Sequence, residues 1–461
     1  MTQLLIVDTF SRAATCFSGS DAVFKLRCSL GVKIERFLPE STMPGQIVDN
    51  GITASPEIEL PCVTPDTCIA IELGHRVGGI PQEIDANGDK MKRNPMVYFQ
   101  TALLYTTSCG RRRVRVTTLG LMTSTFPSDI FRSSDFGTLA AVITRQAIDK
   151  VWDKDEGSLH SARGFAADRC VEILANYRKN ACAKNSSDTQ LILPDALQLL
   201  PLFCLSLRKS RMFRASLSKN AAFHSTKPSP SVDERAFHIL YGASTNPALA
   251  MLCVHPLLLK LTDMPEDVGE WTSPSEESLT TQMGGRQISS GIPKSYSTYV
   301  KLPPSVIPSI AYLSNDGVFL LDDGFTQFVY VGPEVNDDFR SELLCYGDGV
   351  MSLAPGEDLA RSEQSVSISK SSTLGKKLWR IVEQNRKFSS VGGVDRFLRP
   401  NVTPVVVVIG KGGHGHRKGF DDILENKMIE ALMEDPSCNE KSYEVFLGAI
   451  HSRIKRLCHS S

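Results

Sequence analysis

The glycine-rich run from Gly410 to Gly419 contains the residues whose types could most readily do chemistry. It follows a run of valines typical of a buried strand, and the backbone amides of such a loop can cradle phosphate. However, no Ser or Thr follows Lys411 in the order that a P-loop requires. His414 and His416 supply at most two of the three or more protein ligands that a zinc site needs. We therefore favour a flexible loop, with a phosphate site and a metal site as the open alternatives.

The remaining polar motifs indicate structural roles. Ser158 and His160 are two residues apart on a predicted helix, so they do not face one another as a nucleophile and its base. His255 precedes a proline, which favours a structural histidine at the end of a helix. Asp322 and Asp323 precede a glycine between two strand-like runs, which favours turn chemistry over a calcium site. The sequence thus predicts no catalytic, cofactor-binding or metal-binding residue.

A basic cluster lies at a predicted hairpin. Arg111, Arg113 and Arg115 are candidate membrane-facing residues, because a basic residue near an anionic surface contributes about 1 kcal/mol to binding. On a strand, Arg113 and Arg115 share one face, whereas Val114 and Val116 share the other. We expect the valines to face the core. The alternative to a membrane role is an ordinary solvated face over that core.

The composition excludes several classes of protein. Among 461 residues, 51 Lys and Arg balance 51 Asp and Glu, so net charge gives no argument for nucleic acid binding. No apolar stretch approaches the 18 to 20 or so residues of a membrane span, and the N-terminus does not resemble a signal peptide. Twelve scattered cysteines without a C-x-x-C pair indicate reduced thiols in the cytosol. We expect no cofactor.

The hydrophobic periodicity divides the chain into four parts. Short alternating runs separated by turn signals predict a β-sandwich over residues 1–135. Helical spacing predicts an all-helical domain over 136–261, with Leu200 and Phe203 on a buried face. Ser, Thr, Gly and Pro predominate in 262–301, which predicts a linker. Mixed signals predict an α+β domain over 302–461. The fold class is therefore multidomain α+β.

Five collinear segments resemble a known family, the cargo-adaptor subunits of the COPII inner coat. Each segment is weak evidence alone, but together they lie in the family's order across nearly the whole chain. They are QTALLYTTSCGRRRVRV (100–116), LQLLPLFCLSLRKSRMFR (197–214), SVDERAF (231–237), DGVFLLDDGFTQFVYVG (316–332) and MEDPSCNEKSYEVFLGAIH (433–451). The resemblance implies that 302–461 is gelsolin-like. It also implies that residues 1–14 end a trunk domain, and that this trunk and the family's zinc ribbon are absent from the sequence.

The resemblance implies a non-catalytic coat subunit that binds cargo sorting signals during transport from the endoplasmic reticulum to the Golgi. The implied partners are the GTPase-activating inner-coat subunit, the small coat GTPase, cytosolic tails of membrane cargo and an acidic membrane surface, with no nucleic acid. The implied location is cytoplasmic, at endoplasmic reticulum exit sites and on coated vesicles. Two alternatives stay open: the paralogous GTPase-activating coat subunit, and an actin-binding gelsolin-like protein.

Overall fold

The computed structural model describes residues 18–40, 57–64, 67–81, 95–153, 157–182, 190–214, 230–272, 299–347, 365–389, 396–398, 405–436 and 440–459. A β-sandwich comes first, then a helical domain, then mixed α/β sheets, as the sequence predicted. Among the described residues, one unit comprises Leu252–Asp435, and the other combines the residues from 18 to Met251 with those from Glu440 onward. The predicted trunk remnant (1–14) and residues 273–298 of the predicted linker lie outside the described residues.

The β-sandwich pairs a four-stranded antiparallel sheet, in the order β3-β1-β5-β6, with the two-stranded sheet β2-β4. Alternation places Ala22 of β1 with Ile58 and Leu60 of β3 on the inner face, where they pack against Phe37 of β2. The strands are β1 (Gly19–Cys28), β2 (Val32–Leu38), β3 (Glu57–Val63), β4 (Ala70–His75), β5 (Met96–Thr107) and β6 (Arg112–Met122).

Some helices of the helical domain begin with polar caps, which are Asp135, Ser158 and Ser231. Ser231 Oγ accepts from the backbone N–H of Glu234 (3.1 Å), as its capping-box-like sequence predicted. Leu200 and Phe203 are buried, which confirms the predicted face, and Pro201 occupies the first turn of their helix. The helices are α1 (Pro127–Ser133), α2 (Phe136–Asp149), α3 (Leu159–Asn180), α4 (Leu200–Lys209), α5 (Val232–Ser244) and α6 (Pro247–Val254).

The second unit is built around a five-stranded sheet with both faces covered. The order is β10-β7-β11-β12-β17, and β17 joins β12 in parallel. Apolar side chains of β11 alternate between a core containing Leu378 and Ile381 of α8 and a core containing Met428 of α9. The elements are β7 (Leu257–Lys260), β8 (Trp271–Thr272), β9 (Tyr299–Val300), β10 (Ser305–Val306), β11 (Val318–Asp322), β12 (Gln327–Val331), α7 (Asp337–Leu343), β13 (Leu344–Gly347), β14 (Ser365–Ile368), α8 (Thr373–Arg386), β15 (Lys387–Ser389), β16 (Arg396–Leu398), β17 (Val405–Ile409) and α9 (Phe420–Glu430).

Two segments differ from the sequence expectation. Residues 257–260, predicted within the helical domain, form β7 and pair with β11, since a short apolar run can be either strand or helix. The last helix, α10 (Tyr443–His459), lies within residues 302–461, for which the sequence predicts an α+β domain. In the structure it packs on α3 and α4, and its buried residues are Phe446, Ile450 and Ile454.

Candidate functional site: the basic hairpin

A regular hairpin carries the four clustered arginines. β5 and β6 pair in one uninterrupted register, from Met96 opposite Met122 to Thr106 opposite Arg112. The turn closes with a hydrogen bond from the N–H of Thr107 to the carbonyl of Arg111 (2.9 Å). Gly110 in this turn has a φ of 76°, a conformation that favours glycine. The predicted hairpin over residues 96–121 is therefore confirmed.

The register reverses the predicted faces of β6. Leu103 and Tyr105 of β5 pack against the sandwich core, and they lie directly opposite Arg115 and Arg113. The two arginines therefore project from the core side of the sheet, because directly paired residues share a face. Val114, which we predicted to be buried, is 63% exposed on the other face, and Val116 is exposed beside it. The prediction that these valines face the core is wrong.

The reason is that the apolar residues of β6 change from one face of the strand to the other along its length. Val114 and Val116 occupy even positions, whereas Leu119 and Leu121 occupy odd positions on the same face as the arginines. No bulge separates the two halves, so only one set can face the core. Among the described strands, the facing sheet consists of β2 and β4, and every residue of β6 is exposed. The two leucines are the sequence signal for the correct face, because they place the odd-numbered residues of β6 on the core side.

The hairpin tip is strongly basic. Within the described residues, the side chains of Arg111, Arg113 and Arg115 form no ion pair, and all three are exposed. Arg112 instead donates to the carbonyl of Asp21 (2.9 Å) and to Thr106 Oγ1 (2.8 Å). A hydrogen bond from Thr107, with Arg111 and Arg113 nearby, lowers the pKa of the exposed Cys109 thiol. Within the part of the chain that the structure describes, these three cationic side chains are thus available to an anionic partner.

The glycine-rich loop between β17 and α9 is held in place by two arginines. Arg340, 3% exposed, donates to the carbonyl of His414 (3.3 Å) and to three carbonyls of residues 332–335. Arg417 pairs with the buried carboxylate of Asp421 (Nη2 to Oδ1, 2.6 Å). The N–H groups of Gly413, His416 and Arg417 donate to acceptors within the loop and α9. Those three amides are therefore not available to cradle a phosphate.

The aspartates of the second hairpin are turn residues, as predicted. Asp322 Oδ1 accepts from the N–H of Gly324 (3.0 Å), while Asp323 Oδ1 accepts from those of Phe325 (2.9 Å) and Thr326 (2.6 Å). Among the described residues, no group of three His, Cys, Asp or Glu side chains is arranged to hold a metal ion.

Ser158 and His255, the two remaining candidates, have structural roles. Ser158 Oγ caps α3 by accepting from the N–H of Ser161 (3.0 Å). His255 is partly buried, and its removal from water lowers its pKa to about 4, so it is neutral at pH 7.

Two buried polar clusters are not predicted from the sequence. Arg145 of α2 is 2% exposed and donates to the carbonyls of Ala243 and Thr245 (both 2.9 Å). Glu440, before α10, accepts from Arg163 and Arg208 of the helical domain. Neither cluster has a sequence signal, because its partners are 98 or more residues apart. None of the helices in the described ranges has the length and apolarity that a bilayer crossing requires.

The fold defines a class of protein: a multidomain chain with a β-sandwich, then a helical domain, then mixed sheets. Two family models match it, the Sec23/Sec24 beta-sandwich domain over residues 19–124 and the Sec23/Sec24 helical domain over 135–252. The chain thus matches the models of these two domains, and it is similar to about the C-terminal portion of the Sec24 proteins.

Individual relatives support this assignment. The chain is 27% identical over 439 residues to protein transport protein SEC24 B of Arabidopsis thaliana, covering 95% of this chain and 31% of that protein. It is 26% identical over 326 residues to human protein transport protein Sec24A, covering 71% and 24%. The chain therefore spans about a third or less of the length of these relatives. The crystal structure of the human COPII-coat protein Sec24c shares the fold (TM-score 0.65, 22% identity), covering 99% of this chain and 48% of that one.

Proposed function

We propose that this chain is a non-catalytic subunit of the COPII vesicle coat that binds cargo sorting signals and helps to build the inner coat. The observation that carries the proposal is that the two Sec23/Sec24 domain models match consecutive parts of the chain. In addition, 99% of the chain aligns with the structure of a COPII-coat protein. The proposed site of action is the cytoplasmic surface of endoplasmic reticulum exit sites and COPII vesicles. We retain a gelsolin-like assignment for the last domain as part of this proposal.

The proposal includes the absence of catalytic activity. It is supported by the structural contacts that the candidate reactive side chains make. Ser158 and the aspartates of the second hairpin satisfy backbone donors. His255 is held neutral by burial, and the loop histidines lie beside Arg340 and Arg417, whose guanidinium groups bind carbonyls and a carboxylate. Recognition needs no bond-making group, so the proposed partners are proteins and a surface: the GTPase-activating inner-coat subunit, the small coat GTPase, cargo tails and acidic membrane.

The basic hairpin supports the membrane part of the proposal. Arg111, Arg113 and Arg115 are exposed, and attraction of such side chains to anionic lipid falls with rising salt. We expect weak binding to acidic liposomes that fades with salt, and loss of that binding in Arg113→Glu with Arg115→Glu. Lys411→Glu with Lys418→Glu makes the same change in net charge at exposed positions of the other unit, and should leave liposome binding unchanged.

A recruitment assay tests the coat assignment. Acidic liposomes carrying the small coat GTPase, locked with a non-hydrolysable GTP analogue, are incubated with the GTPase-activating subunit and this chain, then floated. The chain should float more when both proteins are present than with liposomes alone. Equal flotation in both cases would overturn the assignment. Faster GTP hydrolysis caused by this chain alone would favour the paralogous subunit, and cosedimentation with actin filaments would favour a gelsolin-like protein.

A further inference from the structure

One backbone edge of the sandwich is unpaired in the described chain. The bonds at the two ends of the hairpin, from Thr107 N–H to Arg111 O and from Thr123 N–H to Pro95 O (3.1 Å), both join odd-numbered residues. Because the register is constant between them, odd residues of β6 bond to β5 and even residues direct their backbone groups away from the sheet. Within the described strands, β6 has no neighbour on that side. The outward groups belong to the even-numbered residues of β6, which are Arg112, Val114, Val116, Thr118, Gly120 and Met122.

An apolar cleft lies beside this edge, on the core side of β6. Leu119 and Leu121 face the interior of the sandwich, yet they are 54% and 49% exposed. A cavity of about 250 Å³ opens here between the two sheets; its lining includes Val32, Leu73, Val97, Phe99, Leu121 and Met122. Interior-facing leucines at half exposure indicate that, among the described residues, nothing covers this end of the sandwich as the β2-β4 sheet covers β1 and β3.

The other end of the same face is cationic. Arg113 and Arg115 project on the core side, in line with Leu119 and Leu121, and neither forms an ion pair within the described residues. The inner face of β6 therefore presents two positive charges followed by two apolar side chains. A strand lying beside it would be matched by two acidic and then two apolar side chains on its own inner face.

We propose that β6 binds an extended segment of another polypeptide, which adds to the four-stranded sheet as a fifth strand beside β6 and closes the cleft. Backbone pairing with the even-numbered residues of β6 supplies affinity, and the pattern of acidic and apolar inner-face side chains supplies specificity. This inference concerns the strand's chemistry alone and does not depend on the coat assignment.

Two other occupants fit less well. If two copies of β6 paired antiparallel in full overlap, Arg113 would lie opposite Leu121 and Arg115 opposite Leu119, which leaves charge beside apolar surface. Shifting the overlap to centre on Val114 would place Arg113 opposite Arg115, which is repulsive. A lipid surface could neutralise the arginines, but it would leave the outward N–H and C=O groups of the edge without strand partners.

The test uses synthetic peptides and the full chain. The probe is a fluorescent extended peptide whose inner-face positions are Glu, Glu, Thr, Leu and Leu, with Thr between them, made in both chain directions to allow parallel and antiparallel pairing. A matched peptide carries Lys in place of both Glu. Fluorescence anisotropy should show saturable binding of one Glu peptide and weaker binding of the Lys peptide. In Arg113→Glu with Arg115→Glu, the preference between the two peptides should reverse.

Thr118 supplies the backbone control. Thr118→Pro removes an outward N–H, which an edge strand tolerates because that group does not bond within the sheet. Thr118→Ala keeps the N–H. We expect the proline variant to weaken the Glu peptide by about tenfold, the order of one lost hydrogen bond, with little change for the alanine variant. Hydrogen exchange of the wild type provides a readout without mutation: the amides of Val114 and Val116 should gain protection when the peptide binds.

Each contrary result has a distinct meaning. Absence of binding by the Glu peptides in both directions would overturn the proposal, as would equal binding by Thr118→Pro and Thr118→Ala when both variants are folded. Concentration-dependent self-association that Thr118→Pro abolishes would identify a second copy as the occupant. Protection of the β6 amides by acidic vesicles, with none from the peptides, would assign the edge to a membrane surface.

Discussion

Replacing Glu440 with glutamine should weaken the attachment of α10 to the helical domain. The Glu440 carboxylate accepts from Arg208 Nε (3.1 Å) and Nη2 (2.9 Å), and from Arg163 Nη2 (2.5 Å). The carboxylate side chain is 9% exposed, while those of Arg163 and Arg208 are 14% and 19% exposed. Arg208 also donates to the carbonyl of Arg163 (2.9 Å) and lies over the ring of Phe446 (6.0 Å), so it cannot follow the charge elsewhere without losing these contacts.

The magnitude follows from the burial. One negative charge compensates two guanidinium groups that are mostly removed from water, so its loss leaves two like charges close together without a counter-charge. Removing one partner of a buried ion pair costs about 3 to 5 kcal/mol. At 2 to 4 °C per kcal/mol for a unit of this size, Glu440→Gln should lower the melting temperature of the unit by roughly 10 °C.

The assay is thermal and urea unfolding of the purified full chain, with Glu172→Gln as the matched control. Glu172 pairs with Arg169 (2.6 Å) on the surface of α3 and is 56% exposed. Its loss should cost at most about 0.5 kcal/mol, since exposed helical ion pairs contribute little. Similar small shifts in both variants would refute the argument that burial makes the Glu440 cluster important. In that case, α10 would be held mainly by Phe446 and its other buried apolar residues.

Three further expectations follow from burial. His238 and His255 are neutral in the folded chain, because burial lowers their pKa values to about 3 and about 4. As the pH falls below about 6.5, the unfolded chain therefore binds more protons than the folded chain, and stability decreases. Each histidine should therefore cost about 2 kcal/mol of stability by pH 5, and equal urea midpoints at pH 7 and pH 5 would contradict this. Phe203→Ala should cost about 3 to 5 kcal/mol and leave little soluble protein, as measured by yield and melting temperature. Val114→Glu should change stability by no more than about 0.5 kcal/mol, because Val114 is 63% exposed; unfolding of this variant would restore the buried-valine prediction.

Much of the local structure could be predicted from the sequence, because local signals determine it. The hairpin over β5 and β6 follows from two β-rich runs around Gly110, whose positive φ the turn requires. Ser231 begins α5 because a serine followed by Glu234 satisfies the first helical donors. The paired aspartates accept from amides two or three residues away, so their turn role needs no distant partner. For the candidate site, the sequence located the arginines and showed that they alternate with valines.

The tertiary structure decided which face of each element is covered. Alternation in β6 separates two faces, but only pairing with Leu103 and Tyr105 shows that Arg113 and Arg115 lie on the core side. The same holds for residues 257–260, whose apolar run becomes a strand because β11 offers an edge to pair with. The Glu440 cluster is also a tertiary feature, since its arginines are 232 and 277 residues away in the chain. Propensity and turn chemistry act between neighbours in sequence, whereas burial and ion pairing depend on which distant segments meet.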